Sequence, residues 1–333
     1  MATKNSRKAA SKRSAKKSNA KRTNPAKAKA ASGNPAKVEP ATARDWIAGA
    51  RPRTLGLAIS PVALGTAVAY YTLGYNLLLA LLCLGVAVFL QIGVNFANDY
   101  SDGVRGTDAH RIDSQRSGPR RLVGSGSAKP RTVLAVALVF FALGAGAGLA
   151  IVVITGLWWL LAVGAVLVLA AWAYTGGKLP YGYLGLGELA AFLFFGVIAT
   201  VGTTFVIIEQ WPLEALLAGV IAGFFAAAVM LINNVRDRET DALSGKKTLA
   251  VRIGDAPARI VAVVLLAAPY GVLVFFALLF EWAPMVYFTL LITAPTALVV
   301  ITARTARELV LALQLASLAA LLTGLGLAAA IAF

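Results

Sequence analysis

Cysteine and histidine are nearly absent from this 333-residue chain: Cys83 and His110 are the only examples of each. A single cysteine excludes an intramolecular disulfide, and one of each excludes Cys/His zinc sites and any triad that needs a second such residue. Charge is scarce as well. Asp, Glu, Lys and Arg together make up 14% of the chain against 59% hydrophobic residues, and the mean hydropathy is +0.75. That composition excludes a water-soluble globule. Chemistry here must be done with carboxylates, amides, Lys, Arg and Tyr.

What charge there is lies unevenly. Thirteen of the 31 Lys and Arg fall in residues 1–44, with Glu39 as the one acid. This stretch of Lys, Arg, Ala, Ser, Asn and Pro contains no aromatic residue before Trp46, so it cannot offset its ordering entropy by burial and reads as a disordered basic tail. Without interleaved aromatics to stack on bases, specific nucleic-acid binding is not expected, and anionic lipid headgroups are the better-matched partner. No short apolar stretch with a small-residue cleavage site follows it, so it does not read as a secretory signal.

The body, residues 45–333, reads as an all-α polytopic membrane bundle. A helix needs roughly 20 apolar residues to cross a bilayer core, and nine stretches qualify: 54–72, 77–99, 132–154, 157–174, 187–208, 213–234, 259–280, 284–303 and 309–332. These runs are continuously apolar rather than alternating, which argues against barrel strands. Threaded with a cytoplasmic N-terminus, nine spans place all 31 Lys and Arg on the cytoplasmic side, while the opposite connections carry Glu209 and Glu281. That is the positive-inside asymmetry.

Acids at the membrane edge are costly and mark a functional site by default. Asn95, Asn98, Asp99 and Asp102 stand at i, i+3, i+4 and i+7 at the end of the second span, with Asp108 in the loop beyond. Asn234, Asp237 and Asp241 share a face at the same end of the sixth span. Carboxylates gathered without a cation would repel, so either their protonation shifts or a divalent metal sits there. Oxygen ligands favour Mg2+, which binds through a few carboxylates plus substrate phosphates. Arg51, Arg53, Arg120, Arg121, Lys246, Lys247 and Arg252 lie close in sequence, as a bound diphosphate requires. For each cation the competing role is positive-inside anchoring. A cation-coupled transporter is the alternative from another class, but its sites belong near the midplane in broken helices.

These residues resemble the UbiA-type intramembrane prenyltransferases, and among them the 1,4-dihydroxy-2-naphthoate polyprenyltransferases of menaquinone biosynthesis. The carrying stretches are Arg51-Pro52-Arg53-Thr54, Asn95-Phe96-Ala97-Asn98-Asp99-Tyr100 with Asp102 and Asp108, and Tyr174-Thr175-Gly176-Gly177. They continue with Pro180-Tyr181-Gly182-Tyr183 and Asn233-Asn234-Val235-Arg236-Asp237 through Gly245-Lys246-Lys247-Thr248 to Arg252. The chain differs in its extra tail, at Gly124, and at Lys178 after the paired glycines. The resemblance implies transfer of a polyprenyl group from polyprenyl diphosphate to 1,4-dihydroxy-2-naphthoate, with loss of diphosphate and carbon dioxide, at the cytoplasmic face of a bacterial cell membrane. It implies Mg2+ held by Asp99, Asp102, Asp237 and Asp241, with Asp108 and Asn98 or Asn234 assisting. Arg53, Arg121, Lys246, Lys247 and Arg252 are then phosphate clamps, and the acceptor lies near Tyr174, Lys178, Tyr181 and Glu188. Other acceptors within the same resemblance are 4-hydroxybenzoate, haem and phosphoribosyl diphosphate. His110 reads as solvated and Cys83 as packing.

Overall fold

Long apolar runs can satisfy their backbone in lipid only as helices, and helices are what the chain forms. The structure, a computed structural model, describes residues 38–74, 76–106, 120–177 and 180–333. The chain divides between Glu39 and Pro40 into two units; of the first, only Val38 and Glu39 are described, so the tail reading falls largely outside the described residues, as do Asp108, His110 and Lys178. Among the described residues, regular structure begins at Ala43. Helix α1, Ala43–Gly49, opens on a capping box between Thr42 and Asp45.

After a 3-10 turn, Pro52–Thr54, come α2 (Gly56–Thr72), α3 (Leu77–Val104), α4 (Pro130–Thr155) and α5 (Leu160–Ala173). A second 3-10 turn, Tyr181–Leu184, precedes α6 (Gly187–Ile208), α7 (Leu213–Leu243) and the short α8 (Leu249–Ile253). The chain finishes with α9 (Asp255–Leu279), a 3-10 turn Ala283–Thr289, α10 (Leu290–Thr302) and α11 (Ala306–Ala332). Among the described residues seven helical stretches are long and apolar enough to cross a membrane, and eight if the pair Ala43–Thr54 and Gly56–Thr72, bent by 45°, counts as one. Nine spans are expected from the sequence. The difference lies at α5, whose 14 residues cover only about 21 Å of a core about 30 Å thick.

Helix α7 is the hub, 72% buried over its most apolar window, and packs against α2, α6, α9 and α11. Lipid supplies no hydrophobic drive between helices, so close approach depends on small residues. At Gly196, inside a wider π turn of α6 (Leu193–Ile198), an added Cβ would overlap the backbone of Gly223 in α7. Helix α5 is the opposite case: none of its residues is buried.

Helices α3 and α7 run past their apolar stretches. Hydropathy places their ends at 99 and 234, whereas the helices continue to Val104 and Leu243. Their 28 and 31 residues span about 42 and 46 Å, well beyond a bilayer core. The acidic segments are therefore helical, as their spacing requires.

Candidate active site

The ends of α3 and α7 converge on a polar chamber of about 50 Å³. Its wall includes Asn98, Asp102 and Arg121 from one side, and Asn234, Asp237, Asp241 and Lys246 from the other. Lys246 joins the two. Its Nζ lies 2.8 Å from Asp102 Oδ1 and 3.6 Å from Asp241 Oδ1, and all three residues are buried. The local sequence explains why lysine reaches back. After α7, Gly245 takes φ +76, a left-handed conformation suited to glycine, and the turn lets Lys246 N donate to the Asp241 carbonyl at 2.9 Å.

Tyr183, in the Tyr181–Leu184 turn, completes this knot. Its hydroxyl donates to Asp102 Oδ1 at 2.5 Å, and its ring lies 4.5 Å from the Lys246 ammonium and 5.2 Å from the Arg105 guanidinium, both within cation–π range. Burial, and then the neighbouring Asp102 charge, push its phenol far above the ordinary range, so it remains a proton donor. Arg121 approaches the other Asp102 oxygen at 3.9 Å.

The remaining expected site residues divide by what they touch. Asp99 is buried, and its two oxygens accept the backbone N–H groups of Leu122 and Val123 at 3.0 and 2.9 Å; it is not among the residues lining the chamber. Asp237 does line it, and is held by its neighbour Arg236 through two contacts of 2.8 and 2.6 Å. Asn234 Nδ2 donates to Glu188 Oε1 at 2.8 Å, while Glu188 Oε2 is buried with no donor among the described residues. Lys247 and Arg252 are exposed and do not line the chamber: Lys247 N donates to the Tyr183 carbonyl at 2.9 Å, and Arg252 Nε to the Lys247 carbonyl at 3.1 Å. Both brace the tyrosine turn. Among the described residues no group of three or more Asp, Glu, His or Cys is gathered as a metal cluster.

Beside the chamber lies a cavity of about 1820 Å³. Its wall is mostly apolar and comes from α1 to α7 and α11, with Arg53, Tyr181, Trp159, Phe205 and Trp211 included in the lining. Asn98, Arg121, Tyr174 and Asn233 line both spaces. The pair suits a molecule with a charged head and a long apolar body. Sequence reasoning did not assign Tyr183, Arg236 or Gln91 to the site. Gln91 was findable, because it is a polar residue deep in an apolar run, one helical turn before Asn95.

The chain matches the UbiA prenyltransferase family over residues 58–312. It belongs to the UbiA prenyltransferase family. A Mycobacterium tuberculosis relative, a 1,4-dihydroxy-2-naphthoate octaprenyltransferase, is 46% identical over 298 residues, covering 88% of this chain and 98% of the relative. The Escherichia coli 1,4-dihydroxy-2-naphthoate octaprenyltransferase is 35% identical over 220 residues, 64% of this chain and 70% of that one. Among solved structures, the fold is shared with a UbiA homolog from Archaeoglobus fulgidus bound to GPP and Mg2+, with a TM-score of 0.58, 16% identity, and coverage of 86% of this chain and 99% of that one. The same homolog bound to DMAPP and Mg2+ gives a TM-score of 0.54. The family assignment accounts for the paired acidic segments of this prenyltransferase-family chain and for the bundle around them.

Proposed function

We propose that this UbiA-family protein transfers a polyprenyl group from polyprenyl diphosphate to 1,4-dihydroxy-2-naphthoate, releasing diphosphate and carbon dioxide and forming demethylmenaquinol for menaquinone biosynthesis. The observation that carries this reading is the 46% identity to a naphthoate octaprenyltransferase along 98% of that relative's length, supported by a polar chamber that shares its wall with a large apolar cavity.

The diphosphate head is assigned to the chamber and the polyprenyl chain to the cavity. Oxygen donors from Asp102, Asp237, Asp241, Asn98 and Asn234, together with diphosphate oxygens, form the ligand chemistry Mg2+ prefers. The Lys246 ammonium between Asp102 and Asp241 marks a position where positive charge is stabilised. Mg2+ held by this set would supply charge neutralisation for the leaving diphosphate. Asp99 supports this set from behind by fixing the 122–123 backbone, and the Asp108 and Lys178 roles stay with the resemblance. Lys246 and Arg121 pair with the diphosphate as the allylic C–O bond breaks and its electron pair leaves with the phosphate oxygen. The naphthoate ring carbon bearing the carboxylate then attacks the allylic carbon. Carbon dioxide departs and leaves its bonding pair to the ring, so aromaticity returns without a protein base.

The bundle is read as nine crossings with a cytoplasmic N-terminus, α5 being the shortest once the Ala283–Thr289 turn is counted with α10, and the chamber opens on the cytoplasmic side of a bacterial cell membrane. The basic tail contacts anionic headgroups. The test is direct: purified protein receives Mg2+, a polyprenyl diphosphate, and in turn 1,4-dihydroxy-2-naphthoate, 4-hydroxybenzoate, haem or phosphoribosyl diphosphate. Mass spectrometry should find the decarboxylated prenyl naphthoquinol only with the first, and chelation of Mg2+ should remove it. A product from another acceptor alone would replace this reading.

A further inference from the structure

Helices α5, α6 and α7 each run between the chamber and one aromatic cluster. Helix α5 is flanked by Trp159 at one end and, at the other, by Tyr174, which lines both spaces; its 14 residues set the two about 22 Å apart. Helix α6 starts at Gly187, where an added Cβ would lie 3.5 Å from the Tyr174 hydroxyl, and reaches Phe205 about 27 Å further along. Trp211 stands just before α7, whose opposite end carries Asp237 and Asp241. The three rings meet. Trp159 and Phe205 lie edge to face with centroids 5.5 Å apart, and Phe205 stacks on Trp211 at 4.3 Å. All three line the large cavity, at the end remote from the polar chamber.

Tryptophan at the end of a membrane helix has an ordinary use as an interfacial anchor, but anchoring does not require the rings to gather on a cavity wall. Two glycines just inside the cluster have no packing use either. Gly202, one turn before Phe205, and Gly164 in α5 both line the cavity, and an added Cβ at either meets nothing within 4 Å. Glycine weakens a helix interior relative to alanine. At Gly196 the close approach of α7 gives that weakness a return, whereas at Gly202 and Gly164 no neighbouring helix comes near and what is gained is room in the cavity. An open passage that leads from a charged chamber to aromatic rings suits an apolar chain laid along it.

Resting on the proposed function, we propose that Trp159, Phe205 and Trp211 form a distal subsite for the polyprenyl chain and set the donor length that the enzyme favours. With the diphosphate in the chamber, the chain must run more than about 20 Å along α5 and α6 to reach the rings. A geranyl chain, with two isoprene units, stops short of them. An octaprenyl chain has length to spare and lays its later units against them. Rings of this size bury a large apolar area on contact, and Gly202 and Gly164 keep the way to them clear. Selection among donors is thereby exercised by residues far from the reacting carbon, which touch only the long ones.

The test measures kcat/KM for geranyl and octaprenyl diphosphate, with 1,4-dihydroxy-2-naphthoate and Mg2+, in wild-type protein, Phe205→Ala and Gly202→Phe. All are assayed in one detergent, and the octaprenyl-to-geranyl ratio is compared between proteins, so that partition of the donors cancels. The ratio should fall about three- to tenfold in Phe205→Ala, the scale of one aromatic contact. It should fall at least about tenfold in Gly202→Phe, whose ring fills the passage. A ratio unchanged in either variant overturns the inference, and so does an equal loss of turnover with both donors, which is what a missing interfacial anchor would produce. Should Gly202→Phe not fold, Phe205→Ala decides alone. If the wild type prenylates no naphthoate with either donor, the proposed function falls; the same ratio, read as donor dissociation constants by calorimetry, then decides the inference separately.

Discussion

At the end of α3 the inner aspartate, Asp99, accepts two backbone N–H groups at 122–123 and is not among the residues lining the chamber. At the end of α7 its counterpart, Asp237, grips the guanidinium of Arg236 and lines the chamber. One turn further on, the outer aspartates behave alike: Asp102 and Asp241 meet the same ammonium, that of Lys246. Two segments with nearly the same Asn-to-Asp spacing thus share one use and differ in the other. The outer position faces the partner helix, whereas the inner position faces whatever its own side of the bundle provides. In α3 that neighbour is a returning loop whose N–H groups need an acceptor, so the carboxylate organises the fold. In α7 it is an arginine one residue along, and the carboxylate remains at the chamber wall.

The largest effect that can break this comparison is expected at the shared position. Asp102→Asn and Asp241→Asn should each lower prenyl transfer by at least about 100-fold, in line with loss of an electrostatic group at a reacting centre, with membrane yield unchanged; near-normal product from either removes the convergence from the chemistry. The inner pair should then separate. Asp237→Asn should lower kcat and leave the thermal midpoint in place, while Asp99→Asn should lower the midpoint, because one of its two N–H partners loses its acceptor at a cost of about 1–3 kcal/mol. Scanning calorimetry or thermal solubility alongside turnover would show it, and the reverse pattern would erase the distinction. The smallest effect belongs to Tyr183→Phe, which keeps the ring under Lys246 and removes only the hydroxyl bond to Asp102; a fall in kcat of about tenfold or less is expected. A raised phenol stays protonated below its shifted pKa, so the alkaline limb of the rate profile up to about pH 10 should not move in this variant.

Much of this arrangement was legible beforehand. The apolar runs marked the helices because lipid leaves few alternatives, and the acids at their ends stood out because such positions are costly. Lys246 and Arg121 were legible as cations close in sequence to the acids. Three features could not be read from spacing alone. The partner of Asp99 lies 23 residues away in sequence, so helical periodicity could group it with Asp102 but could not tell their neighbours apart. The role of Tyr183 depends on a 3-10 turn braced by Lys247 and Arg252, which places three distant segments in contact. The extent of α5 depends on where Leu157, Trp158 and Trp159 leave the helix, and hydropathy sees them as more of the same apolar run.

The ammonium lodged between Asp102 and Asp241 has a bearing on how the protein is held together. Zinc fingers stay unfolded until their ion arrives, since nothing else offsets their gathered ligands. Here the chain brings its own cation: Lys246 offsets the charge that Asp102 and Asp241 gather where α3 and α7 meet.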